Sequence, residues 1–351
     1  MSQGIVEKIA RAVLYEGYML YPYRPSAVKN QLRFNFGVLY PRSYSEKQTG
    51  SDNWETQTEC LLQGSPQSML EIKVRFLQLV SRSIQQISGM SEQGDAELRP
   101  VARLEVEGQL YQSWQEAVER EISVPAYSLD QLLAGAVLCP GSFAAERTHE
   151  SINNAAGEMA GVIARNSEYL EAMVEVSAQK AADGVFKITV RTTNTTSLDS
   201  SDEIARERAL MRSLVSTHAI LQVKQGEFIS LLDPPDALRD SVANCKNTGT
   251  FPVLVGENGE RDTVLSSPII LYDYPQIAPE SAGDLFDGTE IDEILSLRIM
   301  TMTDEEKREM RCSDERARQI LERTETLPLE ELMKLHGALR EPHPAVEKKT
   351  G

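Results

Sequence analysis

Apolar and polar side chains alternating with a period of two restrict the fold of this chain more than any other feature. In Leu70-Glu71-Ile72-Lys73-Val74-Arg75-Phe76 the alternation is strict, as in a strand with one face buried and the other solvated. Beyond Phe76 the apolar parity passes to Leu77 and Leu79. A shift of one residue exchanges the two faces, so a bulge near Phe76 is expected. The period recurs where Leu104, Val106, Gly108 and Leu110 alternate with Glu105, Glu107 and Gln109. It returns at Ala172, Val174 and Val176, at Phe186, Ile188 and Val190, and at Val215, Thr217, Ala219, Leu221 and Val223. Asp183-Gly184 and Asn258-Gly259 stand between such runs and are hairpin signals. Residues 228–232 and the short apolar stretch 269–272 read as further strands. Roughly eight strands separated by turns, without regular intervening helices, imply antiparallel sheets packed as a sandwich or barrel.

Helical spacing marks the two ends. Ile5, Ile9, Ala12 and Val13 predict a helix over about residues 4–17. A helical insertion is expected near 145–168, where alanine and acidic residues are frequent. Beyond residue 288 the pattern is helical again. Thr303-Asp304-Glu305-Glu306 matches a capping box, Ala317, Ile320 and Leu321 share a face, and Pro328 and Gly337 fit the start and end of a short helix bearing Leu329, Leu332 and Met333. The expected class is therefore α+β: a mainly antiparallel, β-sandwich-like core with an N-terminal helix and a helical C-terminal region. Its parts are an N-terminal helix with an aromatic and basic segment (1–29), the β-rich core (30–272), an acidic segment with a helical tail (273–340) and a disordered end (341–351).

Composition narrows compartment and partner. With 351 residues, 41% hydrophobic and 25% charged, the chain has enough apolar surface to offset its conformational entropy. No stretch approaches the roughly 20 apolar residues of a spanning helix. The first twenty residues carry Glu7, Lys8, Arg11 and Glu16, so they read as an amphipathic helix and not as a signal peptide. Cytoplasmic residence is expected. Cys60, Cys139, Cys245 and Cys312 are widely spaced and read as free, buried thiols. A net charge of −17 argues against nucleic acid, whose phosphates require a basic face. Charge is uneven: residues 1–42 hold six bases against two acids, and residues 273–293 hold seven acids and no base. The two segments have the charges to meet each other or a partner.

Phosphate-cradling glycine loops and nucleophile elbows are absent from the sequence. His149-Glu150-Ser151-Ile152-Asn153 departs from a zincin motif at Asn153, where the second imidazole would stand. Cys139 and His149 are close enough in sequence to pair after folding, although a buried cysteine beside a loop is the plainer reading. Asp284, Asp287 and Glu290 recur every three residues, as oxygen ligands for a hard cation could; a solvated helix start explains them more simply. His218 reads as a sheet-face side chain. No catalytic residue, metal ligand or cofactor is assigned.

The most unusual stretch is residues 18–42. Tyr18, Tyr21, Tyr23, Phe34, Phe36 and Tyr40 interleave there with Arg24, Lys29, Arg33 and Arg42. Aromatic residues and arginine are what binding hot spots favour, and Pro22, Pro25 and Pro41 lower the cost of ordering such a segment. A partner-binding face is expected, with Tyr21, Tyr23 and Arg24 as anchors and Lys29 and Arg33 as its charged rim. The competing reading has the aromatics plugging the sandwich and the bases pairing with acids of the same chain.

YEGYMLYPYRPSAVKNQLRFNFGVLYPR, together with SSPIILYDYPQIAPESAGDLFDGTEIDEIL, resembles uncharacterised bacterial proteins associated with uptake nickel–iron hydrogenase gene clusters. The resemblance covers the two ends of the chain better than its middle and carries no catalytic motif. It implies a non-catalytic accessory or scaffold protein that binds a protein partner, a hydrogenase subunit or maturation factor, during maturation or assembly. The alternative is a hydrolase or metal-handling enzyme whose site gathers distant cysteine, histidine and acidic residues.

Overall fold

The computed structural model describes residues 2–18, 20, 22–27, 30, 35–48, 50, 52–90, 96–198, 205–276, 292–326 and 328. Their strands are β1 (Glu55–Met90), β2 (Ala96–Val101), β3 (Arg103–Val106), β4 (Gln109–Gln112), β5 (Trp114–Ser128), β6 (Val137–Phe143), β7 (Glu146–Asn153), β8 (Met159–Ser167), β9 (Leu170–Ala182), β10 (Val185–Asn194), β11 (Val215–Ile229), β12 (Phe251–Leu254) and β13 (Thr263–Ser267). The helices are α1 (Ser2–Tyr15), α2 (Arg42–Ser45), α3 (Leu129–Ala134), α4 (Arg206–Leu210), α5 (Arg239–Ala243), α6 (Asp292–Met300), α7 (Asp304–Ser313) and α8 (Glu315–Glu325). The α+β class and its antiparallel core are as the sequence predicts.

β1, 36 residues long, organises the sheet. Residues 61–63 pair with both β10 and β11, and residues 69–77 carry both β5 and β11. β10 and β5 therefore follow one another along one edge, and β11 occupies the other. Farther on, β8 continues the edge of β11 and β2 continues the edge of β5. The register with β11 breaks between Gly64 and Met69, where Gly64-Ser65-Pro66 interrupts regular pairing. The buried Ser68 hydroxyl fixes this bend by accepting from the Ser65 N–H and donating to the Gln225 carbonyl.

One face of the sheet encloses the main core. Cys60, Leu62, Leu70, Ile72, Val74 and Phe76 of β1 meet Ile122 and Val124 of β5, alternate residues of β9, β10 and β11, and Leu129 and Leu132 of α3. The β6–β9–β10 arm folds back over this core. Phe143 meets Phe76 edge to face at 5.3 Å, and a Cβ at Gly141 would lie 2.5 Å from the Ile122 side chain, so glycine permits the approach of β6. On the outer face, Val6, Ile9, Ala10 and Val13 of α1 cover Ile220, Val253, Val255 and Leu265. Beside them, Tyr15, Tyr18 and Tyr23 join Leu295 and Ile299 of α6, Met310 of α7 and Ile320 and Leu321 of α8 over Leu77, Leu79 and Trp114.

The bulge expected near Phe76 is present, but its place and its cause differ from the expectation. β1 keeps an unbroken register with β5 from Ile72 to Arg82, so its alternation does not slip. What changes is the cover: beyond Arg75 the odd face passes beneath tyrosines and helices, and the sequence turns apolar there. The bulge is on β11, where Arg75 pairs with His218 but Leu77 with Val215, and Ser216 takes a φ of 55°.

Three other expectations are corrected. Residues 145–168 are the β7–β8 hairpin and not a helix. Pairing of β8 with β1 outweighs local helix propensity, and Gly157, at φ 82°, makes the turn. The run 104–110 is the hairpin β3–β4 and not one strand, with Glu107 and Gly108 both at positive φ, as the tightest hairpin turns require. Residues 269–272 form no strand; Ile270 and Tyr272 are 73% and 84% exposed. Residues 228–229 continue β11 through Gly226. Asp183-Gly184 turns β9 into β10, and Thr303 and Glu306 form the predicted capping box. The helix expected after Pro328, the acidic residues 284–290 and the end 341–351 lie outside the described residues.

His218, on β11 beneath α1, is buried, with Nδ1 3.0 Å from the Ser216 carbonyl oxygen and no partner for Nε2. Burial, with a smaller push from Arg75, holds its pKa down to about 4. Above pH ~6.5 the imidazole is neutral in both folded and unfolded chain; as the pH falls toward 4, only the unfolded chain takes up the proton. Wild type should therefore lose about 3 kcal/mol relative to His218→Asn between pH 7 and 4, measured by urea unfolding. Parallel losses in the two proteins would remove His218 as the origin.

Candidate functional site

The structure divides the aromatic and basic segment in two. In its first half, the described Tyr18, Tyr23 and Arg24 belong to the molecule's own packing. Tyr23 is 0% exposed in the outer core, sits at φ 55°, and its carbonyl accepts from the Ser313 hydroxyl at 3.3 Å. Arg24 pairs with Glu306 at 3.0 Å and Glu309 at 3.7 Å, while the Ser26 N–H donates to Glu309 at 2.9 Å. Arg24 of the basic head thus meets acids of its own chain, those of α7; most of the acidic segment 273–293 lies outside the described residues. Of the five expected docking residues, Tyr23 and Arg24 are committed to internal contacts as placed, and Tyr21, Lys29 and Arg33 lie outside the described residues.

The second half lines a cleft. Leu39 exchanges both backbone hydrogen bonds with Leu214, at 2.8 and 3.1 Å, and the Phe36 and Gly37 carbonyls accept from the Ser216 and Thr217 N–H groups. The segment is thereby fastened to the bulge of β11. Gly37, at φ 52°, presses on Pro268, whose ring would lie 2.6 Å from an added Cβ. Beside this segment opens a cleft of about 640 Å³, bounded by Asn35, Tyr44, Asp52, Glu55, Arg206, Phe251 and Pro268.

Its polar groups are unevenly satisfied. Arg206 donates through Nε and Nη2 to the Tyr40 hydroxyl, at 3.1 and 2.9 Å. Burial raises the Tyr40 pKa, and the Arg206 bond opposes that shift. Tyr40 and Tyr44 stack at 5.1 Å with their planes tilted by 34°. The Asn35 amide is the anomaly: Nδ2 and Oδ1 are both buried and neither has a hydrogen-bond partner. Asp52 and Glu55 are half-buried, and neither carboxylate is in an ion pair among the described residues. Phe251, 43% exposed, borders the opening. The arrangement offers one amide donor, one amide acceptor, two carboxylates and aromatic surface, a recognition surface with no nucleophile–base pair among them.

A larger cleft, about 850 Å³, lies between Pro25, the β3–β4 hairpin and α7. Arg308 bridges it to Glu105 at 2.8 Å, and none of its lining residues carries an orphaned buried side-chain atom among those described.

Among the described residues, those of the enzymatic alternative are not assembled. Cys139, on β6, packs toward the main core, where burial raises its pKa; His149 is exposed on β7. Among the described residues no three histidine, cysteine or acidic side chains converge as metal ligands, and Asp284, Asp287 and Glu290 lie outside them. The cysteines are free, but only Cys60 is fully buried. Among the described residues no helix is long and apolar enough to cross a membrane. No protein-family model matches the chain, and no curated protein matches it.

Sequence reasoning missed Asn35, Asp52, Glu55, Arg206 and Phe251. Asn35 lies within the quoted aromatic stretch, but nothing in the sequence distinguishes a satisfied asparagine from an orphaned one. Tyr23→Ala tests the division of the segment. As a core truncation it should cost about 3–5 kcal/mol, seen as a lower urea midpoint. A midpoint equal to wild type would restore Tyr23 as a surface anchor.

Proposed function

We propose that this is a non-catalytic accessory protein that binds a protein partner, and that the cleft beside residues 35–56 is where the partner docks. The observation that carries the reading is the orphaned Asn35 carboxamide among aromatic side chains and two unpaired carboxylates. Burying an amide without hydrogen bonds costs about 1–3 kcal/mol, and a partner supplying both bonds recovers that cost on binding. Aromatic groups around a few convergent polar ones are the usual make-up of a recognition site. The resemblance to proteins of uptake hydrogenase clusters directs the choice of partner to a nickel–iron hydrogenase subunit or maturation factor, and the place to the cytoplasm.

The test is site-specific photocrosslinking in hydrogenase-producing cells, with benzoylphenylalanine replacing Phe251 or, as a control, Leu138, an exposed residue of β6. A hydrogenase subunit or maturation factor should be captured from position 251 and not from 138. Equal labelling from both positions, or no hydrogenase-related product from 251, would count against the proposal.

A further inference from the structure

The backbone beside the cleft indicates how the occupant would bind. Leu39 directs its N–H and C=O toward Leu214. In an extended chain the flanking residues direct theirs to the opposite edge, and Tyr40 does so, its N–H reaching the Asn53 carbonyl at 2.9 Å. Val38 shares that edge and borders the cleft, and among the described residues no hydrogen bond reaches its N–H or C=O. Val38 stands beside an isolated bridge and not within a strand, but a backbone donor and acceptor left free are still a template for another extended chain. Three residues away in sequence, Asn35 offers a second free donor and acceptor. The charged groups of the lining are Asp52, Glu55 and Arg206, and Arg206 is already held by Tyr40. Two free carboxylates against one engaged guanidinium favour a basic occupant and disfavour an anionic one.

Resting on the partner-binding reading, we infer that the cleft receives an extended peptide segment of the partner, which pairs by its backbone with Val38 and Asn35 and directs a lysine or arginine toward Asp52 and Glu55. A compact small ligand could satisfy Asn35 alone; the free edge at Val38 calls for a chain. Phe251 and Tyr44 supply apolar surface for one of its side chains. The geometry also sets a negative requirement, since proline at the residue facing Val38 would lack the N–H that the edge must receive.

The experiment uses the full-length protein and a displayed library of random dodecapeptides. Binders that fail to bind an Asp52→Asn, Glu55→Gln double variant should be enriched in lysine or arginine. Fluorescence anisotropy on the best of them should show affinity falling about tenfold or more for Asn35→Leu and for the double variant, with the latter's loss shrinking at high salt. N-methylation of single peptide bonds along the binder should lose about tenfold at alternate positions only, the signature of strand pairing. This scan leaves the protein untouched, so instability of a variant cannot imitate it. Affinity indifferent to both N-methylation and Asn35→Leu would overturn the inference, leaving Asn35 bound to ordered water only. No cleft-dependent binder in the library overturns it as well. If crosslinking from position 251 nonetheless captures a hydrogenase protein, the partner reading stands and only the extended mode is lost; if neither experiment finds an occupant, both fall.

Discussion

Every layer of this molecule depends on the backbone hydrogen bonds of β1 being satisfied along both edges. Buried N–H and C=O groups are costly to leave unpaired, and a strand running from Glu55 to Met90 presents them on two sides. β10, β5 and β2 succeed one another along the first edge, β11 and β8 along the second. These partners are drawn from residues 96 to 229 of the sequence, so the sheet forms only once distant segments have been gathered. The contact topology is dominated by non-local pairing, a type that folds slowly. The bend at Gly64–Ser68 and the bulge at Ser216 let one strand serve a curved sheet without losing the alternation that keeps Ile72, Val74 and Phe76 inside.

Enclosing one face leaves the other to be covered, and the two ends of the chain share that task. α1 lies on the β11–β13–β12 portion, where the Arg75 guanidinium grips Glu7 at 2.6 and 2.9 Å and Glu121 at 2.8 Å. Next to it, Tyr15 donates to Glu119 at 2.6 Å while Arg316 of α8 stacks over its ring. Burial, followed by the Glu119 bond, raises the Tyr15 pKa, so the phenol stays protonated and remains a donor. Exposed ion pairs of this kind contribute little singly; apolar burial of Leu14, Tyr18, Tyr23, Ile299, Ile320 and Leu321 is the larger stabilising term. The helices at the two ends therefore form one layer on the β-core, although the sequence separates them by more than 270 residues.

Legibility in the sequence followed the range of the physics. Periodicity and turn chemistry are local, so the strands around Val74, Ile188 and Leu221, the Asp183-Gly184 hairpin and the Thr303 capping box were readable. At Phe76 the pattern was read correctly and its cause was not, because a change of cover on one face has the same signature as a change of register. Residues 145–168 were misread since alanine and glutamate favour helix locally, while the deciding interaction is pairing with β1. The aromatic and basic segment was legible as unusual, yet its division was not. Tyr23 and Arg24 are taken by Met310, Glu306 and Glu309, nearly 290 residues away, and no property of residues 18–42 alone announces that. Asn35 was the least legible, since an unsatisfied amide is defined only by what the fold fails to place beside it.

That failure differs in kind from those at four other buried side chains. Arg24, Arg82 and Arg316 each leave Nε buried without a partner but bond through their other nitrogens, and His218 leaves Nε2 but engages Nδ1. In those cases geometry serves one end of the group and strands the other, a compromise that close packing imposes. Asn35 has both ends stranded, beside a cleft and next to a backbone edge that is itself open. A core position with the same defect would be repaired by an apolar side chain of similar size, since replacing an unsatisfied buried amide is neutral or stabilising. Against a net stability of about 5–15 kcal/mol, leaving it unrepaired is a considerable fraction to forgo. The cost is offset if the amide is satisfied in another state of the protein, and the open edge at Val38 together with the free carboxylates of Asp52 and Glu55 defines that state as one with a basic, extended chain in the cleft.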